Sequence, residues 1–215
     1  MVHAISINGS HFYNVSGVNI PSVTTILKPM SPFRNEKDNE SNTFSKIFSQ
    51  VGTYIHYVIL KEFDDIDAPD FELPEIPWVL DRVKNSLEQW KQFTNDHKIE
   101  PINVEQFIYS SGIYPYAGRY DFLGYIDDKL TLMDLKTGGL YDYYPLQLSA
   151  YICAAKHEKV IDNGLLLQID GNPKRNPDNV YNEVWYDLDQ INRYNYEFQF
   201  HAKDWYDSKN GPKVI

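Results

Sequence analysis

The segment 118–136, GRYDFLGYIDDKLTLMDLK, constrains this chain more than any other part of its sequence. Its alternation predicts two strands joined by a polar turn, with Asp121 on the first strand and Asp134 and Lys136 on the second. Because side chains alternate along a strand, Asp134 and Lys136 point to one face, and their apolar neighbours point to the other. The hairpin therefore brings two carboxylates and one ammonium to the same end of a sheet.

Two carboxylates beside an ammonium can hold a hard divalent cation and place a general acid or base next to it. The competing interpretation is two surface acids and a lysine in weak ion pairs, which is common for so short a pattern. The flanking residues favour the cation site. Asp134 lies between apolar residues on a strand that reads as internal, where a carboxylate needs a partner.

The composition predicts one folded unit. The chain has 215 residues, 42% hydrophobic, which is enough for a single well-filled core. We expect one domain over 1–215, with an N-terminal hairpin segment at 1–44, a central core at 45–170 and a C-terminal strand and helix at 171–215. No apolar run approaches the length of a membrane span, and the N-terminus lacks signal-peptide features, so we expect a cytoplasmic protein.

A single cysteine, Cys153, limits the cofactor chemistry. It excludes a disulfide within the chain, a cysteine-ligated zinc site and an iron–sulfur cluster. Because Cys153 lies in an apolar helical run, we predict that it is a small core residue.

The charge is unevenly distributed. The net charge is −10, which argues against a generic nucleic-acid binder. Residues 62–75, however, carry seven acids and no base, so the rest of the chain has a net charge of only −3. Such a body can still bind phosphate at local basic patches, and we expect that binding to depend strongly on a metal.

Hydrophobic periodicity predicts a mixed α/β fold. An Asn8–Gly9 turn predicts an N-terminal β-hairpin, and a polar loop is expected at 31–42, with an acidic linker or surface loop at 64–77. The expected strands are 102–111, 118–126 and 129–136 as an antiparallel meander, then 164–169 and 181–188. The expected helices are 45–63, a second from Pro77, a third from Pro145 to about Lys156, and a fourth capped by Asp189 and ending near Ser208. The third helix lets the next strand join the sheet by a crossover.

Two apolar helix faces are expected to be buried. The first is formed by Phe44, Phe48, Val51, Ile55, Ile59 and Phe63, and the second by Val79, Val83, Leu87, Trp90 and Phe93.

Further candidate residues each have an ordinary alternative. His56 follows Gly52 by one helical turn, which favours a ligand close to another backbone, although a lone histidine is more often a core or surface residue. Glu105 either supports a metal or is a solvated strand residue. Gln147 and Tyr151 share one helix face and either position Lys136 or a substrate, or form an ordinary polar face.

The hydroxyls of PSVTTIL, at 21–27, also have two interpretations. Ser22 and Thr24 either cap a short helix or bind phosphate.

Together, several motifs carry a family resemblance. In chain order, GTYIH at 52–56, Glu105, GRYD at 118–121, DLK at 134–136 and QLSAY at 147–151 resemble the RecB-type branch of the PD-(D/E)XK nucleases. PSVTTIL ahead of the GTYIH helix is similar to mitochondrial genome maintenance exonucleases and related phage exonucleases. The resemblance covers about two-thirds of the chain, 20–170. The sequence departs from the family at Tyr120, where a proline is expected, and it contains no P-loop.

The resemblance implies a restriction-endonuclease-like core, a mixed central sheet flanked by helices, and Mg²⁺ as cofactor, with Mn²⁺ as a substitute. It implies that His56, Asp121, Asp134 and the backbone carbonyl of Leu135 bind the metal, that Lys136 orients the attacking water, and that Glu105 supports the site. The implied substrate contacts are made by Ser22, Thr24, Gly52, Arg119, Gln147 and Tyr151.

We therefore expect a metal-dependent DNA exonuclease acting on single-stranded or end-processed DNA in replication, recombination or repair. It would act as a homo-oligomer or with a replication or recombination partner, and with no membrane partner. The alternatives are a structure-specific endonuclease of the same fold, a non-catalytic nucleic-acid or protein-binding module, and a hydrolase of another phosphoester.

Overall fold

The structure, a computed structural model, describes residues 2–7, 9–31, 39–155 and 160–208, with the backbone alone at residue 2 and at 39–43. Three predicted features therefore lie wholly or partly outside the described residues: Asn8 of the hairpin turn, most of the polar loop 31–42, and Lys156 at a predicted helix end.

A five-stranded sheet forms the centre of the molecule. Its first three strands, β4 (Ile99–Ser110), β5 (Tyr116–Ile126) and β6 (Lys129–Lys136), form the predicted antiparallel meander. Strand β7 (Asn163–Gln168) then pairs in parallel with β6, and β8 (Asn182–Tyr186) pairs antiparallel with β7. Because β7 has neighbours on both edges and helices on both faces, its nearly continuous apolar sequence is buried. The mixed sheet predicted from the sequence is confirmed.

A separate three-stranded antiparallel sheet precedes the central one. It consists of β1 (Val2–Ile7), β2 (Ser10–Val15) and β3 (Val18–Pro21), one strand more than the predicted hairpin. The backbone turns at Gly9 and Gly17, which have φ angles of 71° and 88°. A parallel bridge between Ser22 and Ala117 connects this region to the central sheet.

Helices cover both faces of the central sheet. On one face lie α2 (Asn39–Leu60) and α3 (Pro77–Asp96), which begins at the predicted proline. On the other lie α1 (Val23–Leu27), α4 (Tyr144–Ala154) and α5 (Leu188–Asp207). In the described part of the chain, none of the helices is long and apolar enough to cross a bilayer.

Strand alternation divides the apolar residues between two cores. Met133 and Leu135 point to the α2–α3 side, where they are fully buried with Ile55. Leu132 points to the α4–α5 side, where it packs in a cluster with Phe198. Asp134 and Lys136 share the parity of Leu132, so the sheet carries them on the face covered by α4.

Three sequence predictions are corrected by the packing. Phe44 and Phe48 are 58% and 42% exposed, because the first turns of α2 are not buried against the sheet as its later turns are. Cys153 is exposed on α4 rather than buried in the core. The last helix is capped by Asp187, two residues before the predicted Asp189, through a capping box with Gln190.

Candidate functional site

An ion pair on β6 forms the first half of the site. Lys136 Nζ lies 2.5 Å from Asp134 Oδ2, and the two side chains are 12% and 4% exposed. Although the ammonium is this close, Asp134 Oδ2 receives no well-directed hydrogen bond from the described residues. Burial raises the pKa of Asp134 to about 6, against the attraction of Lys136, which acts to lower it. The cost of burying this carboxylate is therefore larger than the stabilisation that Lys136 provides.

The second half consists of His56, Glu105 and Asp121. Each offers one ligand atom, and these atoms lie within 4.8 Å of one another. His56 comes from α2. Glu105 on β4 and Asp121 on β5 lie opposite each other, because the residues directly before and after them on the two strands are paired. Asp121 is fixed by β6, because its Oδ2 accepts the backbone N–H of Leu135 at 2.7 Å. One helix and two neighbouring strands thus bring their side chains to one point.

The backbone at Glu105 is strained. Its φ angle is +51°, in the left-handed region that residues other than glycine, asparagine and aspartate seldom adopt. Burial and the neighbouring Asp121 carboxylate raise the pKa of Glu105, while Arg119 at 3.5 Å acts in the opposite direction. Strain and charge crowding of this kind persist where a fold holds a side chain for binding or catalysis.

His56 and Asp121 interact with each other. His56 Nδ1 lies 3.4 Å from Asp121 Oδ1. Burial is the largest single influence on both groups and opposes their charged forms. Their mutual attraction and hydrogen bond outweigh it together with Asp134 at His56, and together with Lys136 and the Leu135 N–H at Asp121. The pKa of His56 is therefore raised and that of Asp121 is lowered. The arrangement favours a carboxylate anion at Asp121, which is the form that binds a cation.

These residues fit a divalent cation. One imidazole and two carboxylates within mutual reach suit Mn²⁺ and Mg²⁺, and the imidazole favours the softer of the two, Mn²⁺. The charges of His56 and Asp121 also act on Asp134: Asp121 raises the pKa of Asp134, and His56 lowers it. Its under-satisfied Oδ2 is the kind of buried acceptor that a cation relieves. Leu135, the fourth predicted ligand, uses its backbone N–H to hold Asp121.

A chain of side chains continues from Lys136 to α4. Gln147 Oε1 lies 3.5 Å from Lys136 Nζ, and Gln147 Nε2 donates to the Tyr151 hydroxyl at 3.0 Å. Both residues are buried. Gly118 makes room for Tyr151, because a Cβ at Gly118 would lie 2.6 Å from a carbon of the tyrosine ring. Gln147 and Tyr151 therefore lie where they can position Lys136.

The other predicted substrate contacts are spread around this centre. Ser22 is buried, and its Oγ caps α1 by accepting the backbone N–H of Thr25 at 3.0 Å. Thr24 is exposed and lines a small cavity together with Lys136 and Gln147. Gly52 brings α2 close to β6, since a Cβ there would lie 2.9 Å from Thr137 Oγ1.

Two clefts meet at His56. The first, about 610 Å³, is bordered by Glu105 and by Asp64, Asp65 and Asp67. The acidic segment predicted to be a linker or surface loop therefore forms one wall of the site. The second, about 720 Å³, is lined by Lys136 and by several phenylalanine and tyrosine rings. We call them the acidic cleft and the aromatic cleft.

Sequence reasoning missed Arg82, which lines the aromatic cleft. Arg82 is 6% exposed and donates from Nη2 to the backbone oxygen of Thr137 at 2.5 Å, which holds the segment directly after Lys136. A signal was present, because Arg82, Ser86 and Gln89 recur at helical spacing on the same side of α3. All three are buried, whereas the predicted Val83 and Leu87 are only partly buried.

No protein-family description and no curated protein sequence matches this chain. Among solved structures, it is similar to an alkaline exonuclease from Laribacter hongkongensis, with 10% identity over 86% of this chain and 90% of that one, at a TM-score of 0.37. It is also similar to the protein SSO0001, with 15% identity over 76% of this chain and 89% of the other, at a TM-score of 0.32. Similarities this low carry no functional argument, so the function must be inferred from the site itself.

Proposed function

We propose that this protein is a metal-dependent DNA exonuclease that hydrolyses phosphodiester bonds of single-stranded or end-processed DNA. The observation that carries the proposal is the juxtaposition of the buried Asp134–Lys136 pair with the His56, Glu105 and Asp121 cluster. It supplies carboxylates for a cation and an ammonium for the reacting phosphate within one cleft system.

Each charged residue has a definite task in hydrolysis. Water attacks phosphorus, one P–O ester bond breaks, and the products are a phosphomonoester and an alcohol. Lys136 has three N–H donors, and Asp134 and Gln147 hold the ammonium in place. It can then donate to the attacking water and to a phosphoryl oxygen, where negative charge increases in the transition state. Gln147 and Tyr151 act as positioning residues for this ammonium.

The metal would be held by His56, Glu105 and Asp121, with Asp134 beside them. When bound, a divalent cation neutralises the phosphate, lowers the pKa of a coordinated water and stabilises the leaving oxygen. The carboxylates of the acidic cleft repel a phosphodiester in the metal-free protein. The phosphate at the cleaved bond should therefore bind there only when the metal is present, whereas contacts in the aromatic cleft should not depend on it.

The proposal is tested with end-labelled linear and circular DNA, single-stranded and duplex, in Mg²⁺, Mn²⁺ or EDTA. We expect metal-dependent loss of linear single strands, and no loss with Asp134→Asn. The matched control is Asp128→Asn, which changes an 84% exposed carboxylate in the β5–β6 turn and should leave cleavage unchanged. Cleavage of circular DNA would show that the protein is an endonuclease and not an exonuclease. Full activity of Asp134→Asn, or no cleavage of any DNA, would refute the proposal.

A further inference from the structure

The aromatic cleft joins the proposed cleavage centre directly. Lys136 and His56 form part of its wall, so a bound group would lie next to the reacting phosphate. Its volume of about 720 Å³ falls within the range of pockets for small molecules, which is about 300–1,000 Å³. In the described part of the chain, five aromatic residues line it: Phe44, Phe48, Tyr141, Tyr143 and Tyr144.

Most of these rings are held by other rings. Tyr143 packs edge-to-face on Tyr144 at 4.7 Å and lies parallel to Tyr141 at 5.9 Å. Tyr144 in turn covers the Lys136 ammonium at 4.2 Å. Phe48 packs against Trp78 at 5.0 Å. Rings fixed in this way lose little conformational entropy when a flat ligand stacks on them.

The cleft also carries a surplus of positive charge. Among the residues that the structure describes, Lys136, Arg82 and Arg175 line it, and no aspartate or glutamate does. Arg82 and Arg175 share one buried carboxylate, Asp170, which leaves about one uncompensated charge on the two guanidinium groups. Arg82 Nε is buried and finds no hydrogen-bond partner among the described residues. An anionic ligand would compensate this charge. An anionic strand would therefore be attracted by the aromatic cleft and repelled by the carboxylates of the acidic cleft.

Resting on the proposed function, we propose that the aromatic cleft binds the unpaired base and the phosphate of a nucleotide next to the cleaved bond. Aromatic faces stack on bases of any sequence, and the arginines attract the backbone. A paired base inside a duplex is covered on both faces by its neighbours and cannot enter. The acidic cleft repels the backbone on the other side of the metal centre, so the strand lies along the aromatic side. The substrate is therefore single-stranded at this position.

The test compares two ligands that differ only in their bases. Fluorescein-labelled oligothymidylate of about 12 nucleotides and an abasic strand of the same length are titrated by anisotropy, in EDTA and low salt so that no cleavage occurs. Wild type should bind the base-bearing strand about tenfold or more tightly, because bases stack on aromatic side chains and an abasic strand has none to stack. Tyr143→Leu should remove most of that difference without changing the affinity for the abasic strand. Tyr143→Phe should retain the difference.

The controls separate stacking from folding. Phe200→Leu changes a 52% exposed ring on α5 that does not line the cleft, and it should retain the full difference between the ligands. Thermal denaturation shows whether each variant is folded. If Tyr143→Leu is not, Phe44→Leu, at a 58% exposed ring of the cleft, is used for the same comparison.

The outcomes separate this inference from the proposed function. Equal affinity of wild type for the two strands would overturn the inference, and so would a leucine variant that weakens both strands equally. Tighter binding of blunt duplex than of the single strand would also overturn it. Base-dependent binding by a protein that cleaves no DNA in Mg²⁺ or Mn²⁺ would support base binding in the aromatic cleft and refute the proposed nuclease function. Metal-dependent cleavage by a protein that binds both strands equally would support the nuclease function and refute base binding in the cleft.

Discussion

Removing the buried charge at Asp134 should stabilise the metal-free protein while abolishing its activity. Burial raises the pKa of this carboxyl from 3.8 to about 6, despite the opposing attraction of Lys136. Since one pKa unit corresponds to about 1.4 kcal/mol, the ionised form is disfavoured by roughly 3 kcal/mol in the folded state. Asn has nearly the same shape and carries no charge. Asp134→Asn should thus raise the free energy of unfolding by about 2–3 kcal/mol at about pH 8.

The effect has a definite pH dependence. Because the folded pKa is above the unfolded value, protonation of Asp134 stabilises the wild type fully below about pH 3.8, and this stabilisation is lost as the pH rises through about 6. The gap between variant and wild type should therefore be largest at about pH 8 and nearly absent at about pH 4. Both proteins are unfolded in urea with EDTA, and the free energies are extrapolated linearly to zero denaturant.

A metal should reverse the order of stability. Adding Mn²⁺ stabilises whichever protein binds it, so the wild type should gain stability and Asp134→Asn should gain little. The control is again Asp128→Asn, whose exposed carboxylate should change stability by less than about 0.5 kcal/mol. A variant that is less stable than wild type in EDTA at about pH 8 would refute the reasoning, because the Lys136 ion pair would then outweigh the cost of burial.

Three other substitutions test parts of the site. Glu105→Asn should raise the free energy of unfolding of the metal-free protein by about 1 kcal/mol, because Asn tolerates a positive φ angle and removes repulsion with Asp121. The same variant should bind Mn²⁺ more weakly in calorimetry, and unchanged binding would exclude Glu105 as a ligand. Gly118→Ala should lower the free energy of unfolding in urea by about 1–3 kcal/mol, because its methyl group displaces the Tyr151 ring. It should also lower kcat more than it raises KM. An unchanged stability would contradict the close approach of Gly118 to Tyr151. Ser22→Ala should cost about 1 kcal/mol through loss of the α1 cap, and an unchanged thermal midpoint would show that the hydroxyl does not cap the helix.

Local sequence patterns predicted the helices and strands better than they predicted which residues are buried. The alternation of KLTLMDLK requires only the period of a strand, so Asp134 and Lys136 were placed on one face correctly. The burial of Phe44 and Cys153 was predicted from helical spacing alone, and both are exposed. Whether an apolar residue is buried depends on where the neighbouring layer ends, which spacing along one helix does not contain.

The sequence was sufficient to predict the mixed α/β fold class, the antiparallel meander of three strands, and the shared face of Asp134 and Lys136. These follow from periods of 2 and 3.6 residues and from the short turn at Asp127–Asp128. The tertiary structure alone decided that His56, Glu105 and Asp121 meet, that Asp134 is under-satisfied, and that aromatic rings and Arg82 flank Lys136. Those contacts join residues from different helices and strands, and their spacing is set by register, layer packing and a left-handed backbone at Glu105.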